Sequence, residues 1–327
     1  MILGGMNMKS ASNKLVIVGT GHVGSTVLNT AVSLNLFSEI VTIDKDRQKA
    51  EGEALDAAHS TPFEYNSNTR IYSGGYENCS DAKVIIIAAG PSIMPDDKAD
   101  RLILAERNVP VMKDVMSSIA KYTRDAVIII ITNPLDVMVY YAENFFGYPK
   151  NKVFGTGTSL DSARFRRIIS DYYDVDPKSV QGYMLGEHGN SAFPAWSRLN
   201  IAGIHSDELD KYFNPKEPID REKVAQKVVQ VAYDVLNLKG WTNSGIAMAA
   251  CRLAKAVVLN ERSVLPVSTT LEGEYGLKDV ALSIPCIITE NGVEKRIAAP
   301  LSDDEVEKLT KSAESIRKTI DSVDLKK

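Results

Sequence analysis

Four short apolar runs dominate the first half of the chain: Lys14 to Gly19 (KLVIVG), Ile40 to Asp44 (IVTID), Ala82 to Gly90 (AKVIIIAAG) and Ala126 to Thr132 (AVIIIIT). They are rich in β-branched residues, yet none shows the alternation of apolar and polar side chains expected of a strand with one wet face. Strands of that kind have to be covered on both sides. Helical stretches at Val23 to Leu36, Arg47 to His59 and Arg101 to Lys121 separate the runs and supply the covers. Strand, helix and strand in repetition predict a parallel, doubly wound α/β sheet.

The second half reads differently. A helix from Leu160 to Tyr173 precedes strand material at Ser179 to Leu185, and long helices are expected at Arg221 to Leu238 and Ser244 to Leu259. Ser263 to Leu271 and Val280 to Thr289 look like antiparallel strands, with Asn291-Gly292 closing a further hairpin. Ser-Asp-Asp-Glu at Ser302 opens a last helix to Val323, with Val306, Leu309, Ile316 and Ile320 near one stripe. Asn133-Pro134 and Tyr148-Pro149 punctuate the end of the first half. The expected division is a doubly wound domain over 13–148, an α+β domain over 149–327, and a loose tail at 1–12.

Several classes are excluded by what is missing. A net charge of -4 with no basic run interleaved with aromatics argues against a nucleic-acid surface. No apolar run approaches membrane-spanning length, and the start is unlike a secretory signal. Cys79, Cys251 and Cys286 stand far apart, so neither a disulfide framework nor a metal site is indicated. A reducing, cytoplasmic location is expected.

Between the first run and the first helix lies Gly19-Thr-Gly21-His22-Val23-Gly24. A GxGxxG pattern alone is weak, because glycines gather in many turns. This one follows a strand and opens a helix, and Asp44 ends the next strand 20 residues after Gly24. Glycines there let the backbone approach a pyrophosphate at a helix N-terminus, and the acid can hold a ribose hydroxyl. The first domain is therefore expected to be of the Rossmann type, and NAD is preferred because Asp44 would repel a 2′-phosphate.

Asp161 and Arg164, in TSLDSARFRR, are three apart and share a helix face, while His188 follows in LGEHGN on the next strand. A carboxylate to orient an imidazole, an imidazole to move a proton and a guanidinium to grip a carboxylate suit small carboxylated substrates. The plain reading of the Asp-x-x-Arg pair is a solvated salt bridge. Of the four histidines, His22 lies in the glycine loop, His59 ends a helix and His205 sits in a polar segment.

GTGHVG, AAGP, ITNP, GTGTSLDSARFR, GEHGN and KGWTNSGIA occur in an order and spacing that resemble the L-lactate and malate dehydrogenase family, from about Lys14 to the C-terminus. Within it the chain looks most like bacterial members of the L-lactate branch. The resemblance implies NAD, a 2-keto or 2-hydroxy acid substrate, a homo-oligomer (dimer or tetramer) and a place in glycolysis and fermentation. It assigns His188 as proton donor with Asp161 as its partner, Arg164 to the substrate carboxylate, and Arg101 to polarising the carbonyl. Asn133 would touch both substrate and nicotinamide, Thr242 would line the side-group pocket, and Ala89 and Gly90 would border the cofactor beside the glycine loop.

The segment from Pro91 to Asp100 reads as a lid that selects the substrate, two residues longer than in typical relatives. Met94 stands where lactate dehydrogenases usually carry Gln and malate dehydrogenases Arg. A second carboxylate beside Met94, Asp96 and Asp97 would be unpaired and costly, which disfavours oxaloacetate. Methionine would tolerate pyruvate, and also larger apolar groups, so a broader L-2-hydroxyacid dehydrogenase stays open. So does a non-catalytic NAD-binding sensor. Relatives activated by fructose 1,6-bisphosphate use an arginine and a histidine; Arg166 matches the first, but Gln181 replaces the second, so weak or absent activation is expected.

Overall fold

Every side chain of the first strand, β1 (Lys14–Val18), is buried, and β1 lies inside a nine-stranded sheet. A computed structural model describes residues 13–63, 65–91, 101–323 and 325, with only the backbone described at Arg101. The 1–12 tail, Met94 and the rest of the expected lid from 92 to 100 lie outside the described residues.

β1 pairs in parallel with β2 (Glu39–Ile43) and β4 (Val84–Ile87). β2 pairs with β3 (Arg70–Ser73), β4 with β5 (Val127–Ile130), and β5 with β6 (Val153–Gly155), all parallel. The order β3-β2-β1-β4-β5-β6 is that of doubly wound dinucleotide-binding sheets. β4 and β5 are both Val-Ile-Ile-Ile, fully buried, as the absence of alternation required. Their connections run through α1 (His22–Leu34), α2 (Arg47–Ala58), α3 (Arg101–Ile119) and α4 (Leu135–Phe145).

The second half opens with α5 (Ser159–Tyr173) and continues through short strands. These are β7 (Val180–Gln181), β8 (Met184–Leu185), β9 (Phe193–Pro194), β10 (Asn200–Ile201) and β11 (Ile204–His205). The helices α6 (Leu209–Phe213), α7 (Arg221–Lys239) and α8 (Ser244–Val258) follow, then β12 (Ser263–Glu272), β13 (Lys278–Thr289), β14 (Gly292–Arg296) and α9 (Asp303–Ser322). A capping box at Ser302 and Glu305 starts α9 where the sequence placed it.

Four expectations shift. The run from Ser179 to Leu185 divides into β7 and β8, which belong to different small sheets. β3 and β6 were not read from the sequence, since four and three residues carry too little pattern. β6 also carries the parallel array past residue 148. The turn before β14 falls at Glu290-Asn291, one place early, and Gly292 opens the strand at φ 89°.

β12 pairs antiparallel with β6, so β12, β13 and β14 extend the same sheet into the second half. Glu143 of α4 reinforces that seam, accepting the Thr269 hydroxyl at 2.8 Å and the Thr270 backbone N–H at 2.7 Å on β12. On the other side α8 packs on α1, where Asn243 Nδ2 donates to Thr26 Oγ1 at 2.9 Å. A smaller core of Phe165, Ile169, Met184, Leu199 and Val228 sits under α5 and α7.

A Cβ on Gly24 would lie 1.8 Å from the Gly19 carbonyl oxygen, whereas one on Gly52 of α2 would meet nothing within 4 Å. Gly24→Ala should therefore destabilise the fold by about 1–3 kcal/mol through overpacking. Gly52→Ala should stabilise it by about 0.5–1 kcal/mol. Urea unfolding of both variants checks the contrast.

Candidate active site

The carboxyl ends of β1, β2, β4 and β5 meet where the strand order reverses, the crevice in which such sheets bind ligands. Gly19 leaves β1 at φ 96°, and a Cβ there would lie 2.7 Å from the Ala89 backbone, so the turn closes only on glycine. Gly21 heads α1, and a Cβ on it would meet nothing within 4 Å. That open space before a helix N-terminus fits the pyrophosphate of a dinucleotide.

Asp44 follows β2 and turns back to the loop. Its Oδ2 accepts the Thr20 backbone N–H at 2.6 Å and the Thr20 hydroxyl at 3.0 Å, and its Oδ1 accepts the Asp46 N–H at 3.0 Å. Burial would raise the Asp44 carboxyl, but these bonds hold it below its ordinary value. It is thus charged at neutral pH, fitting a ribose diol and opposing a 2′-phosphate. Val23 is half-buried at the start of α1, Ala89 is half-buried and its carbonyl accepts the Thr132 hydroxyl at 2.7 Å, and Gly90 is exposed at φ 131°.

Asp161, Arg164 and His188 come together. His188 Nδ1 lies 2.7 Å from Asp161 Oδ2, and Arg164 Nη1 donates to Asp161 Oδ1 at 2.9 Å. The salt bridge of the plain reading exists, but it is withdrawn from solvent: the side chains of Asp161 and Arg164 are 11% and 14% exposed. Burial opposes charge on Asp161, yet the His188 charge, its hydrogen bond and Arg164 hold the carboxyl below its ordinary value. Burial likewise opposes charge on His188, yet the Asp161 charge and hydrogen bond, with Asp136 adding, raise the imidazole above its ordinary value.

His188 is not on a strand as expected; it lies in the bend after β8. Two side chains stitch β8 to α5 and so deliver it. Thr158 donates to the Met184 carbonyl at 2.5 Å, and the Ser162 hydroxyl accepts the Met184 N–H at 2.9 Å. Sequence reasoning missed both, although both lie within the TSLDSARFRR segment. It also missed Asp136 of α4, whose Oδ2 accepts the His188 backbone N–H at 2.8 Å.

Asn133 is exposed at the carboxyl end of β5. The buried Asn108 of α3 holds its carbonyl at 2.6 Å and that of Pro91 at 3.0 Å, a second bridge the sequence did not reveal. Thr242 is half-buried between α7 and α8, and the N-terminus of α8 abuts the α5 end through Gly245 and Leu160. Its neighbour Trp241 stacks on His22 of the glycine loop, with ring centroids 4.1 Å apart and planes 4° from parallel. The backbone of Arg101 opens α3. Arg166 is half-buried on α5, and two residues turn a helix by roughly 200°, so it faces away from Arg164. α5 packs against β7, where Gln181 is exposed.

Residues 13–155 match the family model for the lactate/malate dehydrogenase NAD binding domain, and residues 158–326 that for the lactate/malate dehydrogenase alpha/beta C-terminal domain. The chain belongs to the lactate/malate dehydrogenase family. It is 56% identical to L-lactate dehydrogenase 2 of Clostridium acetobutylicum over 96% of this chain and 98% of that one. It is 50% identical to an L-lactate dehydrogenase of Selenomonas ruminantium over the same shares, 96% and 98%. The crystal structure of minor L-lactate dehydrogenase from Enterococcus mundtii superposes with a TM-score of 0.91 at 36% identity, covering 96% of this chain and 99% of that one. This lactate/malate dehydrogenase fold is thus an NAD-binding α/β domain joined to an α/β C-terminal domain.

The stack of His22 on Trp241 couples the glycine loop to the segment that carries Thr242. An aromatic pair contributes about 0.5–1.5 kcal/mol beyond area burial. In a Trp196→Phe background, His22→Ala should alter Trp241 emission and weaken NADH binding by up to about tenfold. Unchanged emission in a fluorescence titration would rule the stack out.

Proposed function

We propose that the chain is an NAD-dependent L-lactate dehydrogenase, interconverting pyruvate and L-lactate. The observation that carries this reading is Asp161 shared between His188 and Arg164 beside a dinucleotide crevice. Names of the relatives favour lactate over the broader L-2-hydroxyacid reading and over a non-catalytic sensor. Met94, by offering no positive charge, favours pyruvate over oxaloacetate.

The division of labour follows from the geometry. Arg164 presents its guanidinium to the substrate carboxylate, a planar fork that lysine lacks. His188, with Nδ1 directed to Asp161, has Nε2 as the nitrogen that delivers a proton to the keto oxygen. Arg101, at the head of α3, is assigned to polarising the carbonyl as negative charge develops on it, and Asn133 and Thr242 to placing the substrate. Gly19, Gly21, Gly24 and Asp44 would hold NAD, whose chemistry when bound is to carry the hydride.

The domain reading is an NAD-binding unit followed by a catalytic unit, divided near residue 148. A homo-oligomer is supported by an α2 surface that leaves Leu55 55% exposed, and we assign a homotetramer. The buried free thiols of Cys79, Cys251 and Cys286 fit a cytoplasmic enzyme of glycolytic fermentation.

His188→Asn should lower kcat/KM for pyruvate by about 10²- to 10⁴-fold, the scale of positioned acid–base catalysis, followed as NADH absorbance. Reduction needs the imidazolium, and His188 is raised above its ordinary 6.5. Pyruvate reduction should therefore be flat at low pH and fall about tenfold per pH unit above that raised value, while lactate oxidation rises in the mirror sense. No turnover with any 2-keto acid in the wild type would defeat the reading.

With Gln181 in place of a histidine and Arg166 half-buried, fructose 1,6-bisphosphate should leave the half-saturating pyruvate concentration unchanged. A large fall on adding the bisphosphate would refute this.

A further inference from the structure

Asp136 stands in the first turn of α4, three places after Asn133, and is only 2% exposed. Its Oδ2 accepts the His188 backbone N–H at 2.8 Å, and its Oδ1 accepts the Ser268 hydroxyl of β12 at 2.6 Å. One carboxylate thereby links three segments: the helix after β5, the bend that carries His188, and the strand that extends the sheet. Burying a carboxylate is costly unless its charge is matched. An asparagine could accept the same N–H without that cost, so the charge itself calls for a counterpart.

The counterpart is the imidazole. The charged groups facing His188 are Asp161 and Arg164 from α5 and Asp136 from α4, and β12 contributes the neutral Ser268. With the imidazole neutral, this set holds two negative charges and one positive; with the imidazolium it balances. Arg164 opposes the imidazolium until a substrate carboxylate neutralises it. Asp161 is divided between Arg164 and His188, so a second anion on the far side of the backbone completes the match.

We propose that Asp136 is a positioning residue for the proton transfer: it anchors the His188 backbone to β12, and its charge serves with Asp161 as counterion to the imidazolium. The proton-transfer role rests on the dehydrogenase reading; the electrostatic role does not. Asp136→Asn keeps an acceptor for the His188 N–H and removes the charge. Ser268→Ala keeps the charge and removes the tie to β12.

The first measurement is an NMR titration of His188, its resonance assigned by loss in His188→Asn, which requires no turnover. Asp136→Asn should lower the His188 pKa by about one unit, and the descending limb of kcat/KM for pyruvate should move with it while NADH binding is kept. Ser268→Ala should leave that pKa in place and lower kcat severalfold with KM for pyruvate unchanged. An unshifted His188 in folded, NADH-binding Asp136→Asn would overturn the counterion role. If Asp136→Asn does not fold, Ser268→Ala decides, and wild-type kcat in that variant overturns the anchoring role. A wild type that reduces no 2-keto acid, with the NMR shift present, would instead count against the dehydrogenase reading alone.

Discussion

Asp161 is the constraint on which the site turns. Each of its oxygens meets a different partner, Arg164 on one side and His188 on the other, in a place largely withdrawn from water. A buried carboxylate is tolerable only with such partners, and each partner is oriented by the bargain. The guanidinium is held one helical turn from the carboxylate, where a substrate acid can reach it. The imidazole is held in one tautomer with its other nitrogen available. Fold and chemistry meet there, since Thr158 and Ser162 bring β8 to the same helix that carries Asp161.

Much of this was legible in the sequence because it was written locally. Val-Ile-Ile-Ile at β4 and β5 announces strands buried on both faces, and GTGHVG followed by Asp44 announces a dinucleotide turn whatever the rest of the chain does. The Asp161 and Arg164 spacing places both on one helix face before any tertiary contact is known. Ser302 and Glu305 cap α9 through contacts within one turn.

What stayed hidden depends on partners far away along the chain. β6 is three residues long and is a strand only because β5 and β12 flank it. His188 was taken for a strand residue because its place in a bend depends on how β8 is clamped to α5. Asp136 looks like an ordinary first-turn acid of a helix until the fold brings His188 and Ser268 to its two oxygens. The pairing of His22 with Trp241 joins residues more than two hundred apart, and nothing in either neighbourhood signals it.

The antiparallel extension of β12, β13 and β14 from β6 has a mechanical consequence. Dehydrogenase active sites must exclude water, and many two-lobed enzymes do so by bending at a linker between lobes. Here the two lobes share one hydrogen-bonded sheet, and Glu143 locks α4 of the first lobe to β12 of the second. Such a beam resists hinge bending, so the spacing between the nucleotide crevice and the Asp161 cluster is set at folding rather than on binding. Access and closure are left to segments at the periphery, and those can vary in length and composition without disturbing the catalytic geometry.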